Sequence, residues 1–242
     1  MGRGAKQLRS QLVFIAIVAL FSSQSAEAAK RDPSNVITIV ALGDSLTAGY
    51  GLSRKQAWPA LVAEKMRKAG YEFEVVNAGS SGDTTTGGLR RLPALLRAHK
   101  KIDIFILELG INDAFRGVPI EQVRSNLQAI IDQVRARHPK VAIVVAGMQL
   151  PDYSSNDYVA AFGAIFAPLA EKNRATLIPF FLEGVGGNPE LNQWDRVHPN
   201  AAGQRVLADN VWRVLEPMLR KQGTAVYKPP TYKNGGLESA AP

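Results

Sequence analysis

Short segments rich in apolar, β-branched residues recur along the chain, separated by longer segments of mixed polarity. Consecutive apolar positions are typical of a strand that is buried on both faces of a sheet. The first such segment ends at Gly43, and the third is closed by Gly110. The pattern predicts five strands, at residues 36–42, 73–77, 102–109, 141–146 and 175–180.

Between these strands, apolar residues recur every three or four positions, as on one face of an amphipathic helix. Helices are therefore predicted at residues 58–69, 84–98, 123–134 and 158–173, together with a last helix that begins after Pro199, includes residue 218 and is kinked at Pro217. Alternating strands and helices require a parallel sheet with right-handed crossovers and helices on both faces. We therefore expect an α/β protein with a five-stranded parallel sheet in a three-layer α/β/α arrangement.

Residues 1–28 have the three-part pattern of a secretory signal peptide. A basic leader precedes ten consecutive apolar residues at 12–21, and Ala26, Glu27 and Ala28 form an A-x-A cleavage site. Ten apolar residues are too few to cross a bilayer, which takes roughly 20. We expect cleavage after Ala28 and a periplasmic or secreted product.

The last twenty residues, 223–242, contain several prolines and glycines and show no apolar periodicity. This composition predicts a disordered C-terminal tail. The folded domain is then expected at residues 29–222.

Composition excludes several kinds of site and partner. The chain has no cysteine, which rules out disulfides, cysteine-ligated metals and a cysteine nucleophile. It has three histidines, of which His99 and His138 are expected at the surface, and no P-loop or dinucleotide fingerprint, so no metal or cofactor is predicted. The formal net charge of +8 is scattered, which does not favour nucleic acid but can attract anionic head groups.

Two short motifs contain the groups of a nucleophilic catalyst. Ser45, in GDSL at residues 43–46, follows the first strand on a turn into a helix, although this sequence alone is more typical of a helix N-cap. Asp195 and His198 lie three positions apart, so a turn can bring the carboxylate to one ring nitrogen and leave the other free as a base. A capping aspartate beside a surface histidine is the alternative for this second motif.

Two further positions could stabilise an oxyanion. Asn112 follows the third strand, where its amide can donate to a carbonyl oxygen, and Gly82 lacks a side chain, which allows close approach to its N–H. Each residue alone is also typical of turns. Because the carboxyl ends of parallel strands meet at one edge of a sheet, we expect these segments to converge there.

The four blocks GDSLTAGYGL, NAGSSGDTT, GINDAFRG and DRVHPN, in this order, resemble the SGNH or GDSL hydrolases. The resemblance is greatest to the bacterial branch of arylesterases and the multifunctional acyl-CoA thioesterase I/lysophospholipase, and it extends over essentially the whole expected domain. It implies a flavodoxin-like SGNH hydrolase fold and a monomer that cleaves carboxylic esters without a cofactor.

The resemblance also implies a role for each candidate residue. Ser45 would be the nucleophile, His198 the general base, and Asp195 the group that orients the imidazole. The oxyanion hole would consist of the backbone N–H groups of Ser45 and Gly82 and the side-chain amide of Asn112.

Neighbouring positions are expected to shape the site. The thioesterase branch often has a small residue where this chain has Ile111, so the acyl entrance is expected to differ in shape. Phe115 is expected to form an apolar wall for the substrate. Asp44 and Asp113, which adjoin the candidates, are expected to accept hydrogen bonds from loop N–H groups.

The sequence thus predicts an exported serine esterase for aryl and acyl esters, with lysophospholipids and acyl thioesters as further substrates. Its partner would be a small-molecule ester or lipid; nucleic acid and a stable membrane anchor after signal cleavage are not expected. Two alternatives stay open: an O-deacetylase of carbohydrate or peptidoglycan with the same fold, and a non-catalytic binding protein on this scaffold.

Overall fold

Five strands form one parallel sheet in the structure, a computed structural model that describes residues 36–150 and 157–221. The strands are β1 (Ile37–Gly43), β2 (Phe73–Gly79), β3 (Ile104–Glu108), β4 (Ala142–Ala146) and β5 (Thr176–Ile178). Their order across the sheet is β2-β1-β3-β4-β5, and every pair is parallel. Connections run in opposite directions on the two sides of β1, so the crevice expected in such sheets lies beyond the carboxyl ends of β1 and β3.

Helices connect the strands and cover both faces of the sheet. They are α1 (Ser45–Ala48), α2 (Trp58–Lys68), α3 (Thr85–Ala98), α4 (Ile111–Phe115), α5 (Ile120–Arg137), α6 (Asp157–Gly163), α7 (Phe166–Lys172) and α8 (Ala201–Lys221). Helix α2 packs against α8, and α3 packs against α5. Right-handed crossovers place these two pairs on opposite faces. The predicted five-stranded α/β/α architecture is confirmed.

The register of the sheet brings the candidate segments together. Gly43, the last residue of β1, lies beside Gly79 of β2 and beside Glu108 of β3. All seven residues of β1 and all five of β3 are buried, which explains their nearly continuous apolar sequences. The loops that follow these three strands therefore begin side by side.

The prediction of one helix at residues 158–173 is wrong, because two helices, α6 and α7, occupy this region. The chain turns after Gly163, where the N–H of Ile165 donates to the carbonyl of Phe162 at 3.1 Å. Phe162 and Phe166 are both buried, with ring centroids 5.4 Å apart in an edge-to-face arrangement. The break thus directs two aromatic side chains into the core, and the free energy gained by burying them outweighs the loss of helical hydrogen bonds at the break.

The strand boundaries differ from the predictions by at most two residues, and β5 is limited to Thr176–Ile178. His138, expected at the surface, is buried instead, and burial lowers the pKa of its ring. It follows α5 and precedes β4, so the chain must pass into the sheet directly after it.

The predicted signal peptide, residues 1–28, and the predicted tail, residues 223–242, lie outside the described residues. Within residues 36–150 and 157–221, no helix combines the length and the apolarity needed to cross a membrane.

Candidate active site

Ser45 lies on the tight turn between β1 and α1, at the carboxyl edge of the sheet. Asp44 caps the helix, since its Oδ1 accepts a hydrogen bond from the N–H of Leu46 at 2.9 Å. A side chain at Gly43 would collide with Thr47 and Glu108, so only glycine fits immediately before this turn. Ser45 is therefore the first helical residue rather than the cap, and no described residue accepts a hydrogen bond from its N–H.

The ring of His198 lies between Ser45 and Asp195. Its Nε2 is 3.0 Å from Ser45 Oγ, and its Nδ1 is 2.7 Å from Asp195 Oδ2. The acceptor at Nδ1 assigns the proton to that nitrogen, which leaves the Nε2 lone pair directed at the hydroxyl. The structure thus brings together the three residues that the two sequence motifs predicted, across 153 positions of sequence.

Asp195 is held as a carboxylate by the loop that carries it. Its Oδ1 accepts hydrogen bonds from the N–H groups of Val197 and His198, both at 2.9 Å. Partial burial by itself would raise the pKa of Asp195, but the hydrogen bonds from His198 and Val197 outweigh it and lower the pKa to about 2. The negative charge that orients His198 is therefore present at every pH where a hydrolase would work.

The loop around Asp195 is fixed by backbone hydrogen bonds. The N–H of Gln193 donates to His198 O at 2.7 Å, and the N–H of Arg196 donates to Gln193 O at 2.9 Å. Arg196 adopts the left-handed conformation, with φ of 59°, which costs a non-glycine residue free energy and is retained only where neighbouring contacts impose it. The side chain of Gln193 also donates to Tyr50 O, which ties this loop to the segment after α1.

The amide of Asn112 lies at the beginning of α4. Its Nδ2 donates to Asp44 Oδ2 at 3.1 Å and to Asp83 O at 3.0 Å. Gly110, with φ of 128°, provides the sharp change of direction between β3 and α4 that places Asn112 beside the turn of Ser45. In this structure both hydrogens of the amide are thus directed at protein acceptors.

Gly82 lies in the loop after β2 and adopts φ of 77°. Ser45 and Asn112 line a cavity at this edge of the sheet, whereas Gly82 does not. Its neighbour Asp83 accepts a hydrogen bond from Asn112, and no described residue accepts one from the N–H of Gly82. The structure therefore brings Gly82 close to Asn112 through Asp83 without placing it in the cavity wall.

Asp44 and Asp113 accept loop hydrogen bonds, as expected. Asp113 accepts from the N–H and the hydroxyl of Thr85, at 2.8 and 2.6 Å, and so fixes the start of α3 against α4. Burial raises the pKa of Asp44 to about 7, and its hydrogen bonds from Leu46 and Asn112 only partly oppose this.

Glu108 is a buried carboxyl group that contacts the turn between β1 and α1, and the sequence interpretation overlooked it. Its Oε2 accepts from the N–H of Asp44 at 3.2 Å and from the hydroxyl of Thr47 at 2.6 Å. Burial and then the nearby Asp44 carboxylate raise its pKa well above the usual range. An acidic residue in an otherwise apolar predicted strand was the available sign that this side chain has a specific partner.

Arg91 was also overlooked, because the sequence interpretation treated the basic residues only as a scattered positive charge. Its guanidinium donates to Asp83 at 2.6 Å, to Ala78 O at 2.7 Å and to Gly43 O at 2.9 Å. It therefore connects the ends of β1 and β2 with the loop of Gly82. Arg91 is three or four positions after the buried Gly87 and Gly88, which is the sign that it shares their inward face of α3.

A cavity of about 590 Å³ opens beside Ser45 and His198. Ile111 and Phe115, the two residues expected to shape the substrate site, both lie in its wall. The apolar part of the lining consists of Leu46, Ile111, Phe115, Leu150, Phe180, Leu182 and Val197. An ester placed with its carbonyl carbon at Ser45 would have its acyl or aryl group in this apolar space.

Among the described residues, no group of three or more histidine, aspartate or glutamate side chains is arranged to hold a metal ion. The contacts around Ser45 provide a hydroxyl, an imidazole and a carboxylate in series. This order of groups is suited to nucleophilic attack on an acyl carbon.

Comparison with known proteins agrees with this chemistry. The family model described as GDSL-like Lipase/Acylhydrolase matches residues 41–206. The chain is 42% identical to Esterase TesA of Pseudomonas aeruginosa over 182 residues, which cover 75% of this chain and 89% of that protein. It is 39% identical to Thioesterase 1/protease 1/lysophospholipase L1 of Escherichia coli K12, covering 75% and 85% of the two chains. The crystal structure of TesA superposes with a TM-score of 0.71 at 41% identity, covering 75% of this chain and 99% of that one.

Proposed function

The chain belongs to the GDSL-like lipase/acylhydrolase family and is a carboxylic-ester hydrolase, and on that premise we propose that it is an exported serine esterase with Ser45, His198 and Asp195 as its catalytic triad. The observation that carries the proposal is the position of the His198 ring. Its two nitrogens lie 3.0 Å from Ser45 Oγ and 2.7 Å from Asp195 Oδ2.

In the first half of the reaction, Nε2 of His198 accepts the hydroxyl proton as Ser45 Oγ attacks the acyl carbon. The imidazolium that forms is stabilised by Asp195, which stays ionised because of its low pKa. As the tetrahedral intermediate collapses, Nε2 returns the proton to the leaving alcohol or thiol, and the acyl group remains on Ser45.

In the second half, a water molecule occupies the place of the leaving group. His198 accepts a proton from this water while the oxygen attacks the acyl carbon, and then returns the proton to Ser45 Oγ as the carboxylic acid leaves. The proposed oxyanion hole in both halves comprises the N–H groups of Ser45 and Gly82 and the amide of Asn112. In the resting enzyme both hydrogens of the Asn112 amide are donated to protein acceptors. One of them would leave its acceptor and donate to the oxyanion instead, and these contacts already hold the amide beside the turn of Ser45.

The lining of the cavity supports esters with an apolar acyl or aryl group. We propose medium or long acyl chains, with lysophospholipids and acyl thioesters among the substrates, since these would fill the space along Ile111 and Phe115. Small polar acetyl esters would leave most of this apolar surface in contact with water.

The test is hydrolysis of p-nitrophenyl esters from acetate to palmitate, together with labelling by a fluorophosphonate and mass spectrometry of the labelled peptide. We expect turnover that rises beyond acetate, a label on Ser45, and loss of both in Ser45→Ala. Ser125→Ala is the matched control, because Ser125 is an exposed serine on α5. Turnover that persists in Ser45→Ala would refute the proposed nucleophile, and turnover confined to acetate would favour the O-deacetylase.

Export is proposed from the sequence of residues 1–28 alone. Expression of the full chain in a Gram-negative host, followed by fractionation and N-terminal sequencing, tests it. We expect a periplasmic protein that begins at Ala29, and an uncleaved cytoplasmic protein would contradict the proposal.

A further inference from the structure

The exposed large hydrophobic side chains of the described residues all occur in the segments that form the candidate active site. They are Tyr50, Phe115, Trp194 and Val197, which are 50%, 58%, 94% and 44% exposed. We refer to these four residues as the apolar rim. Single exposed apolar residues are normal on any protein, but their concentration around one opening requires an explanation.

Each rim residue is placed at the mouth of the cavity by a specific contact or neighbour. Phe115 and Val197 line the cavity itself, and the Tyr50 ring lies 4.4 Å from the His198 ring. Trp194 directly precedes Asp195, which also lines the cavity. Two rim residues therefore lie in the wall of the cavity, and the other two adjoin His198 and Asp195.

The segment that carries Trp194 is built to present it. Gln193 donates through its N–H to His198 O and through its side chain to Tyr50 O, while Arg196 N–H closes the turn on Gln193 O. These bonds fix both sides of Trp194, yet its indole is almost entirely in solvent. The backbone on both sides of Trp194 is thus already ordered, so covering the indole costs side-chain freedom but no further backbone freedom.

Two exposed arginines lie in the same segments as the apolar rim. Arg116 and Arg196 are both exposed, and neither forms an ion pair with a described residue. The acidic groups nearby are engaged, since Asp83 pairs with Arg91 and Asp195 with His198. Indole rings and arginines together are typical of protein surfaces that enter the head-group region of an anionic bilayer.

We propose that the apolar rim, with Arg116 and Arg196, docks the protein reversibly on the surface of an anionic phospholipid membrane. A protein partner or a second copy seated on the rim would cover the mouth of the cavity, whereas a lipid surface both covers the rim and contains acyl esters that can enter it. Docking itself does not depend on catalysis. The further step, in which the docked membrane supplies the ester substrate, rests on the proposed function.

Docking is tested with the Ser45→Ala variant of the mature protein beginning at Ala29, so that no lipid is hydrolysed and the apolar residues 12–21 cannot bind the vesicles themselves. Flotation is compared on vesicles of phosphatidylcholine alone and of phosphatidylcholine mixed with phosphatidylglycerol. We expect binding to the anionic vesicles that falls roughly tenfold on Trp194→Ser and again on the pair Arg116→Gln and Arg196→Gln. Thermal unfolding of each variant checks that the fold is retained.

The matched control is the pair Lys100→Gln and Lys140→Gln. Both lysines are exposed and precede β3 and β4, so they lie at the opposite edge of the sheet. We expect this pair to bind anionic vesicles as the parent does. An equal loss from the control pair would overturn the rim as the docking surface and leave only general attraction by net charge.

Two other results would overturn the proposal. One is equal vesicle binding by Trp194→Ser and its folded parent. The other is that the parent does not bind vesicles but forms a concentration-dependent dimer in analytical ultracentrifugation, and that Trp194→Ser abolishes this dimer. That result would assign the rim to contact with a second copy of the chain. Turnover of a soluble ester by the unmutated protein is measured separately, so that failure of the esterase proposal is recognised independently of docking.

Discussion

The side-chain amide of Asn112 donates a hydrogen bond to the carboxylate of Asp44, the residue immediately before Ser45. The group proposed to stabilise the oxyanion is thus oriented by the residue that caps the helix of the proposed nucleophile. The second acceptor, Asp83 O, belongs to the loop of Gly82, so one amide connects all three parts of the proposed oxyanion hole.

Asn112→Ala is expected to lower kcat by roughly 100- to 1,000-fold with little change in KM, because a donor directed at the oxyanion acts in the transition state. Steady-state kinetics with p-nitrophenyl butyrate measures both constants. Asp44→Asn, which disturbs the orientation of the amide but leaves Asn112 itself in place, should reduce kcat less. A kcat for Asn112→Ala within threefold of the parent value would exclude Asn112 from the oxyanion hole.

The second prediction concerns the acid limb of the pH profile. The pKa of Asp195 is lowered to about 2, so its stabilising contribution is present above its usual value of 3.8 and is lost only as pH falls through about 2. Protonation of Asp195 should therefore contribute no ionisation to kcat/KM between about pH 4 and neutrality. An ionisation in that range that the residual activity of Asp195→Asn lacks would contradict this assignment.

Replacement of the same carboxylate gives an independent check. Asp195→Asn keeps the size of the side chain but removes the charge that stabilises the imidazolium, and kcat should fall by roughly 10,000-fold. Fluorophosphonate labelling of Ser45 should slow in parallel, since it uses the same base. Labelling at the parent rate would show that His198 does not depend on Asp195.

Arg91→Ala removes the donor shared by Gly43 O, Ala78 O and Asp83. It should lower the free energy of unfolding by roughly 2–3 kcal/mol and also reduce kcat, because the loop of Gly82 loses its attachment to β1. Urea denaturation and steady-state kinetics measure the two effects. The neighbouring, exposed Arg90→Ala is the control and should change the free energy of unfolding by less than about 0.5 kcal/mol.

Glu108 should make the stability of the protein depend on pH. Its pKa is raised by burial, so its neutral form is favoured in the folded state and stability is highest below its usual value of 4.5. As pH rises above that value, the free energy of unfolding should fall by up to about 1.4 kcal/mol per pH unit from this group, until the pH passes the pKa of the folded state.

Glu108→Gln mimics the neutral carboxyl group and should flatten this pH dependence while retaining turnover. Glu108→Ala leaves the N–H of Asp44 and the hydroxyl of Thr47 without an acceptor and should lose both stability and turnover. Denaturant unfolding at several pH values distinguishes the two variants. The same pH slope in Glu108→Gln and in the parent would assign the dependence to another group, such as Asp44.

Much of the fold follows from periodicity. The buried strands β1 and β3 have apolar sequences because both of their faces are covered, so their positions were predicted to within one or two residues. The break between α6 and α7 was not predicted, because it depends on where Phe162 and Phe166 find space in the core. Helical spacing reports which residues share a face, but not whether the helix continues.

What the sequence by itself determined is the set of chemical groups and their placement at strand ends: a serine after β1, an asparagine after β3, and an acid three positions before a histidine. These are local properties, fixed by chain geometry over a few residues. Only the tertiary structure decided which other side chains contact these groups and hold them in position. Glu108, Arg91 and Tyr50 act on residues far away in sequence, and their partners are set by the parallel register and by burial, which no local pattern encodes. The same holds for Trp194, because only the packed structure distinguishes a core tryptophan from one that stands in solvent beside the cavity.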